Sequence, residues 1–271
     1  MKTKSALSYF GSDSEVAADL AGLLDHCKHV TIPFVGGGSI IPYLKARAIV
    51  ANDLNDLAIN FYRHAAGVHG DYCQKMLFDR CERTLSHPSE LTNARSYLGG
   101  GDTWNDTYEK AWAYWALCWI GRKGKGGTKY TAGPPSVRRT AGGGTNATRI
   151  RAAADDLLDW AKHFERCEWE CSDFRELLPK VADTKECGIY ADPPWVEAGD
   201  GYLHPFTLDD HAVLAGLLDE FDETTVVVRY GDHPLIRELY PPHKWNIIEA
   251  SSRDQCNAVK GELCITNRRE V

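Results

Sequence analysis

The sequence Gly-Ile-Tyr-Ala-Asp-Pro-Pro-Trp occupies residues 188–195, late in a chain of 271 residues. Gly188 to Ala191 is predicted to be a short buried strand, because isoleucine and tyrosine favour strands and two prolines end the run. The prolines fix φ and remove two N–H donors, so the strand ends in a rigid turn that offers Asp192 and carbonyl acceptors. Trp195 adds a flat face on which a planar amine can stack. A plain Asp-Pro turn is the alternative interpretation.

Strands and helices alternate on both sides of this stretch. Further strands are predicted over residues 30–33, 49–51, 225–228, 245–248 and 263–266, and near Trp169. Helices are predicted over residues 12–26, 40–47, 56–66, 70–87, 104–119, 149–164 and 208–221, and from Asp173 onward. The last two strands are expected to pair antiparallel. Alternation of this kind indicates an α/β fold with a doubly wound sheet.

A helical and basic segment interrupts the alternation. We predict that residues 1–66 and 165–271 form the domain that holds the sheet, and that residues 67–164 form an inserted lobe. The lobe contains a glycine-rich loop over residues 121–151 that has no Asp or Glu. The basic residues of the loop are Arg122, Lys123, Lys125, Lys129, Arg138, Arg139, Arg149 and Arg151. In a chain of net charge −7 this local excess predicts contact with a polyanion, and a solvated charged loop is the alternative.

Composition argues against several other classes of protein. The opening lysines are followed by no sustained apolar segment, which argues against a secretory signal. The most apolar run, residues 111–120, is too short and too aromatic for a membrane span and is expected to pack inside. Nine cysteines without a Cys-x-x-Cys pair suit a reducing compartment and argue against a zinc site or a disulfide framework. We therefore expect a cytoplasmic protein that binds neither membrane nor metal.

Acidic residues are predicted at the ends of successive strands. A glycine run, Gly36 to Gly38, lets a ligand approach the backbone closely, and Asp53 stands where such folds offer an acid to a ribose diol. The run lacks the third glycine of a dinucleotide fingerprint, so a nucleoside cofactor smaller than NAD is favoured. Asp173, beside Phe174, is a candidate acceptor for an adenine amino group. Each feature has a structural alternative, a tight turn for the glycines and a helix cap for either acid.

Eight ordered motifs run through nearly the whole chain. They are residues 8–12, 32–38, 52–55, 172–174, 190–195, 202–204, 232–240 and 262–267. In this order the set resembles the D12-class, Dam-like DNA adenine-N6 methyltransferases. The resemblance implies a Rossmann-like S-adenosylmethionine-dependent methyltransferase sheet with an inserted helical and basic target-recognition lobe. It also implies transfer of a methyl group to N6 of an adenine that is flipped out of double-stranded DNA.

The resemblance assigns roles to individual residues. Those implied to bind the cofactor are Tyr9, Phe10, Gly11, Pro33, Phe34, Gly36, Gly38, Asp53, Asp173, Phe174 and Asp192. The implied catalytic residues are Asp192, Pro193, Pro194 and Trp195. Asp192 and the Pro193 carbonyl would accept hydrogen bonds from the target amine, and Trp195 would stack on the target base. S-adenosylmethionine is the implied methyl donor and S-adenosylhomocysteine the product, with no metal, while the basic loop would hold DNA phosphates.

Two residues depart from the family pattern. Asp13 stands where the family usually has lysine, and Trp195 stands where it usually has tyrosine or phenylalanine. Three other hypotheses stay open: amino methylation of RNA, methylation of cytosine N4, and an inactive homologue that only binds nucleic acid. The chain is expected to be a monomer, and a restriction endonuclease is a candidate partner if it serves restriction and modification rather than a phage or an orphan role.

Overall fold

A computed structural model describes residues 3, 5–9, 16–99, 107–121, 145–197, 201–253 and 259–268 of the chain. The strands are β1 (His29–Ile32), β2 (Ala48–Asn52), β3 (Cys167–Glu170), β4 (Cys187–Ala191), β5 (Thr225–Gly231), β6 (Asn246–Arg253) and β7 (Val259–Thr266). The helices are α1 (Ala17–Gly22), α2 (Asp56–Ala65), α3 (Asp71–Glu82), α4 (Pro88–Gly99), α5 (Tyr108–Ile120), α6 (Asn146–Asp155), α7 (Leu157–Phe164), α8 (Phe174–Leu177), α9 (Leu208–Asp219) and α10 (Pro234–Leu239). The strands form a seven-stranded sheet, which confirms the predicted α/β class.

The chain divides into two compact units, each built from several segments. The first comprises Met1–Ser14, Gly36–Pro42 and Asn55–Cys171, and the second comprises Glu15–Val35, Tyr43–Leu54 and Ser172–Val271. Helices α2 to α7 fall in the first unit, and most of the strands fall in the second. The inserted lobe and its predicted boundaries stay a prediction.

In the second unit the strands follow the order β2-β1-β4-β5-β7-β6. The first four of these strands are parallel, and β7 pairs antiparallel with both β5 and β6. Thr31 of β1 faces Val50 of β2 and Ile189 of β4, and Ala191 faces Val228 of β5. The parallel strands therefore end at one common edge, and the predicted terminal antiparallel pair is confirmed.

The core of the second unit explains why β5 is almost wholly apolar. A parallel strand inside a sheet is covered on both faces and so reads as a continuous apolar run. Val226, Val227 and Val228 are fully buried. Residues from three helices and from the loop before β6 belong to the same core, among them Phe174, Leu214, Leu218, Ile236, Tyr240 and Trp245. A capping box between Thr207 and Asp210 begins α9 and fixes its entry into this core.

Helix α5 forms the buried centre of the first unit. Its residues Trp112 and Trp115 are almost fully buried, as expected for the aromatic run over residues 111–120. The Trp112 ring N–H donates to the Thr84 hydroxyl at 2.8 Å, which satisfies a buried donor. Among the described residues, no helix is long and apolar enough to cross a membrane.

Four helix predictions are wrong in extent, and the first of them, over residues 12–26, ends at Gly22 in α1 rather than near His26. The helix predicted over residues 70–87 ends earlier, at Glu82 of α3. Pro88 then begins α4, a helix that was not predicted, at a position where a missing N–H is tolerated. The stretch 149–164 divides into α6 and α7 at buried Asp156, whose carboxylate accepts a hydrogen bond from the Thr3 hydroxyl at 2.9 Å. The helix expected over residues 40–47 is only a 3-10 turn over Ile41–Tyr43.

Protonation of His211 is expected to destabilise the fold in mild acid. His211 is fully buried, and its Nδ1 lies 2.9 Å from the Tyr230 hydroxyl. Burial lowers the pKa of His211 from 6.5 to about 4. The unfolded chain therefore binds the proton first, so stability is lost as pH falls through this window, by up to about 3 kcal/mol.

Urea unfolding of the protein and of His211→Gln, measured between neutral pH and pH ~4, checks this expectation. The variant should lose less stability on acidification than the unchanged protein. The same substitution at exposed His243 is the matched control for the exchange of a histidine for glutamine. Equal slopes for the unchanged protein and His211→Gln would contradict the expectation.

Candidate active site

The carboxyl edge of the parallel strands gathers most of the predicted site residues of the second unit. Pro33 and Phe34 follow β1, Asp53 follows β2, and Asp192 follows β4. Since these strands are parallel neighbours, the segments that follow them emerge at the same edge. Ligands of open α/β sheets bind at such an edge, so the structure brings four predicted residues to a suitable place.

Asn52, the last residue of β2, ties this edge together. Its fully buried side-chain amide donates to the Pro33 and Ser172 carbonyls, at 2.9 Å each. Its oxygen accepts from the Ser172 N–H at 2.9 Å and from the Ser172 hydroxyl at 3.1 Å. These bonds fix the segments that carry Pro33, Asp53 and Asp173. This role was not predicted from the sequence, although an asparagine at the end of a buried strand needs partners.

Asp173 has a structural role in addition to the predicted one. Its carboxylate caps α8 by accepting from the Arg175 N–H at 2.8 Å, and it forms an ion pair with the Arg175 guanidinium at 2.8 Å. The helix-cap alternative is thus present in the structure. A carboxylate has about four lone-pair sites, so its predicted hydrogen bond to a cofactor is compatible with the cap and stays a prediction.

Phe174 lies in an aromatic cluster at the same edge. Its ring centroid is 5.5 Å from that of Phe34 and 5.6 Å from that of Phe206. The Arg175 guanidinium lies 4.5 Å from the Phe174 centroid. The cluster gives this edge an apolar wall, and the sequence analysis did not predict the contribution of Phe206.

Asp192 ends β4 and is held by an arginine from the neighbouring strand. Its side chain is 22% exposed, and its Oδ2 accepts a hydrogen bond from Arg229 Nη1 at 3.0 Å. Burial raises the pKa of Asp192 above its usual value, whereas the Arg229 cation acts in the opposite direction. Asp192 is therefore a partly buried acceptor whose charge is compensated by a specific partner.

Arg229 has a second acidic partner, Glu262 of β7. Arg229 Nη2 donates to Glu262 Oε1 at 2.9 Å, and Nε donates to Oε2 at 3.3 Å. The two side chains are only 3% and 5% exposed. Burial lowers the pKa of Arg229, but the carboxylates of Asp192 and Glu262 outweigh burial and hold it above its usual value. The sequence analysis missed this pair, although an arginine after three buried valines requires an acidic partner.

Trp195 is positioned by two residues of β5. The Arg229 guanidinium lies 5.1 Å from the Trp195 ring centroid, a cation–π contact. A side chain at Gly231 would collide with the ring, because an added Cβ would lie 2.7 Å from its Cε3 atom. Pro193 is buried and Pro194 half-buried, so the turn that carries Trp195 is enclosed. Gly231 is thus a site residue that the sequence analysis did not identify.

Tyr202 is a further residue of this edge. Burial raises its pKa above the usual value, and the nearby Asp192 and Asp53 carboxylates reinforce that shift. Its phenol therefore stays neutral near both acids. Tyr202 belonged to a recognised motif but had no predicted role.

The predicted glycine run lies in the first unit and has a demanding backbone. Gly36 and Gly38 have φ values of +49° and +70°, in the left-handed region that favours glycine. Tyr62 donates from its hydroxyl to the Gly36 carbonyl at 2.7 Å, and an added Cβ at Gly38 would lie 3.1 Å from that hydroxyl. A Cβ at Gly36 would lie 3.4 Å from the Tyr9 ring. The tight turn is therefore real, and a cofactor role for Tyr9, Gly36 and Gly38 stays a prediction.

Several predicted residues lie outside the described residues. They are Phe10, Gly11, Asp13, Arg122, Lys123, Lys125, Lys129, Arg138 and Arg139. Two basic residues of the predicted loop, Arg149 and Arg151, lie on α6, in line with the helix that was predicted to begin at residue 149. Arg149 Nη2 donates to the Ser8 hydroxyl at 3.4 Å. In the described part of the chain, no group of three or more His, Cys, Asp or Glu side chains could hold a metal ion.

The chain is similar to known proteins over most of its length, including the segments at this edge of the sheet. The family model for D12 class N6 adenine-specific DNA methyltransferases matches residues 9–253. Two relatives called DNA adenine methylase come from Vibrio cholerae serotype O1, strains Classical Ogawa 395 and El Tor Inaba N16961. Each is 22% identical over 268 residues, covering 92% of this chain and 89% of the relative. The matched residues include Asp53, Asp192 and Arg229, whereas Glu262 lies beyond them.

Proposed function

Since the chain belongs to the D12 class of N6 adenine-specific DNA methyltransferases, we propose that it transfers a methyl group from S-adenosylmethionine to N6 of an adenine flipped out of double-stranded DNA. The family was expected from the ordered motifs. The observation that carries the proposal is the position of Asp192, Pro193, Pro194 and Trp195 at the carboxyl end of β4. Asp53 follows the strand beyond β1 at the same edge, where a cofactor ribose would be bound.

Asp192 and Pro193 would activate the target amine by holding it. The lone pair of an exocyclic amine is delocalised into its ring, so the nitrogen is a poor nucleophile. The amine would donate one N–H hydrogen bond to the Asp192 carboxylate and the other to the Pro193 carbonyl. These two bonds favour a pyramidal nitrogen with a directed lone pair. Because the amine proton becomes acidic only after the new N–C bond has formed, Asp192 need not be a strong base.

The second unit contains residues that fit the proposed cofactor. The Asp53 carboxylate can accept from ribose hydroxyls, and the wall formed by Phe34, Phe174 and Phe206 is apolar. When bound, S-adenosylmethionine would supply a sulfonium methyl group whose C–S bond breaks as the N–C bond forms, leaving S-adenosylhomocysteine. Asp53, Phe34 and Asp173 would orient it toward the amine held by Asp192.

Trp195 supports the proposed extrusion of the base. N6 of a stacked and paired adenine is not accessible to a carboxylate at a strand end, so the base would have to leave the duplex. The Trp195 ring, held by Arg229 and Gly231, would then replace part of the lost stacking. The predicted basic loop would hold the DNA backbone through phosphate contacts.

Methyl transfer from labelled S-adenosylmethionine tests the proposal. The full chain is incubated with mixed-sequence double-stranded DNA and, separately, with RNA, and the labelled nucleosides are identified after digestion. N6-methyladenine in DNA is the expected product. Label in RNA or in N4-methylcytosine would overturn the proposed substrate, and salt-sensitive DNA binding without any transfer would identify an inactive homologue.

A further inference from the structure

We propose that Arg229 and Glu262 are positioning residues for the methyl-transfer step: Arg229 orients the Asp192 carboxylate and keeps it anionic, and Glu262 moderates the Arg229 charge. The proposal rests on the function proposed above, in which Asp192 accepts a hydrogen bond from the target amine. Neither Arg229 nor Glu262 would touch the amine. Both would act through Asp192.

The geometry supports an orienting role for Arg229. The guanidinium is a rigid planar fork, and Glu262 holds its Nε and Nη2 edge with two hydrogen bonds, at 3.3 and 2.9 Å. The direction of Nη1 is thereby fixed. Since Nη1 donates to Asp192 Oδ2 at 3.0 Å, the carboxylate is held in a defined orientation and keeps lone pairs for a further donor.

Asp192, Arg229 and Glu262 form a charged triad, and burial strengthens the interactions between their charges. Arg229 and Glu262 are 3% and 5% exposed, so water and salt screen their charges only weakly. Two carboxylates share one cation, and the negative charge of Asp192 is compensated only in part. Without Arg229, two carboxylates would face each other across a poorly solvated space. Without Glu262, the Arg229 cation would act more strongly on Asp192.

The phenols and the thiol around Asp192 do not ionise in the acid range. Burial raises the pKa of Tyr190 on β4 and of Tyr230 on β5, and it raises that of Cys264 on β7 to about 11. The pKa of Tyr202 is likewise raised, by burial and by the nearby acids. Asp53 is a further acid near Tyr202, and it is unchanged in every variant below. A difference in the acidic limb of the rate profile between a variant and the unchanged protein should therefore report on Asp192, Arg229 and Glu262.

Substitutions of Arg229 and Glu262 should shift the acidic limb of the rate profile in opposite directions along the pH axis. Arg229→Gln removes the cation that favours ionised Asp192, so activity should appear only at a pH higher by about one unit or more. Glu262→Gln removes a carboxylate that disfavours ionised Asp192, so the limb should move to lower pH, by about half a unit. Arg229→Lys keeps the charge but loses the fork, so the limb should stay near its original pH while the rate falls about tenfold.

Single-turnover methyl transfer at saturating cofactor, measured against pH, provides the test. Glu186→Gln is the matched control, because it removes a carboxylate from an exposed ion pair with Lys28 just before β4, at the end of the strand opposite Asp192, and it should leave both the rate and the limb unchanged. Opposite shifts for Arg229→Gln and Glu262→Gln support the proposal. Equal losses of rate with no shift, or shifts in the same direction, would show a merely structural role and overturn it.

A direct measurement separates this inference from the proposed function. Carbon-13 NMR of carboxyl-labelled aspartate, assigned with Asp192→Asn, follows the ionisation of Asp192 in the unchanged protein and in each variant. Opposite displacements of this titration support the inference even if no methyl is transferred, and an unchanged titration overturns it. If Arg229→Gln fails to fold, the test can still be made with Glu262→Gln and with the double variant Arg229→Gln with Glu262→Gln. The double variant leaves no unpaired buried charge in the pair.

Discussion

Asp192→Ala is expected to lower the single-turnover rate of methyl transfer by about a thousandfold or more. Two acceptors hold the target amine in the proposed mechanism, and this variant removes the charged one. The affinity for S-adenosylmethionine should change less than about threefold, because Asp53 and the aromatic wall bind the cofactor in the proposed arrangement. The loss should therefore fall on the rate and leave binding largely intact.

The design of this experiment separates chemistry from folding. Arg229 keeps its two bonds to Glu262 when the Asp192 carboxylate is removed, so no buried cation is left without a partner. Asp209→Ala, which removes an exposed carboxylate from the first turn of α9, is the matched control and should retain activity. Transfer is measured with labelled cofactor on DNA and binding by calorimetry. Activity of Asp192→Ala close to that of the control would refute the role given to Asp192.

Asn52→Ala is expected to lower the free energy of unfolding by about 3 to 4 kcal/mol. The substitution removes four hydrogen bonds from a fully buried site and leaves the Pro33 carbonyl and the Ser172 N–H without their side-chain partner. The affinity for S-adenosylmethionine should also fall, by about tenfold, because the segments that carry Asp53 and Asp173 lose their common tie.

Urea unfolding of both proteins measures the first effect, and calorimetric titration with S-adenosylmethionine measures the second. Asn246→Ala is the matched control, since this half-exposed asparagine lies on β6 of the same unit, and its stability should change by less than about 0.5 kcal/mol. A loss of stability at Asn52 no larger than that of the control would show that the four bonds contribute little.

The strand-end acids were predictable because their signals are local. Asp192 directly follows a run of apolar residues, and Asp53 follows such a run with only Asn52 between. The prolines after Asp192 mark the end of its strand. The carboxyl ends of parallel strands lie at one edge, so the alternation of strands and helices was enough to bring these two acids together. The α/β class and the antiparallel pair β6 and β7 followed from the same periodicity.

The partners of these acids depend on contacts between distant segments. Arg229 meets Glu262 only because β7 runs antiparallel to β5, with Gly231 facing Glu262 in the register. No spacing along the chain indicates that register, although an arginine within a valine-rich strand signals an acidic partner in general terms. Asn52 was overlooked for the same reason, because its partner Ser172 belongs to a distant segment. The helix breaks at Pro88 and Asp156 have weaker signals in the sequence. The break at Asp156 is explained by the hydrogen bond of its carboxylate to Thr3, a residue far away along the chain.

The antiparallel pairing of β7 with β5 also has a consequence for the order in which a newly made chain matures. Translation produces Asp192 and Arg229 before Glu262, so in a nascent chain the acceptor and its cation precede the residue that shares the cation. During that interval the Arg229–Asp192 pair lacks Glu262. Docking of β7 then divides the cation between two carboxylates. The acceptor thus reaches its final charge balance only when this late strand has joined the sheet.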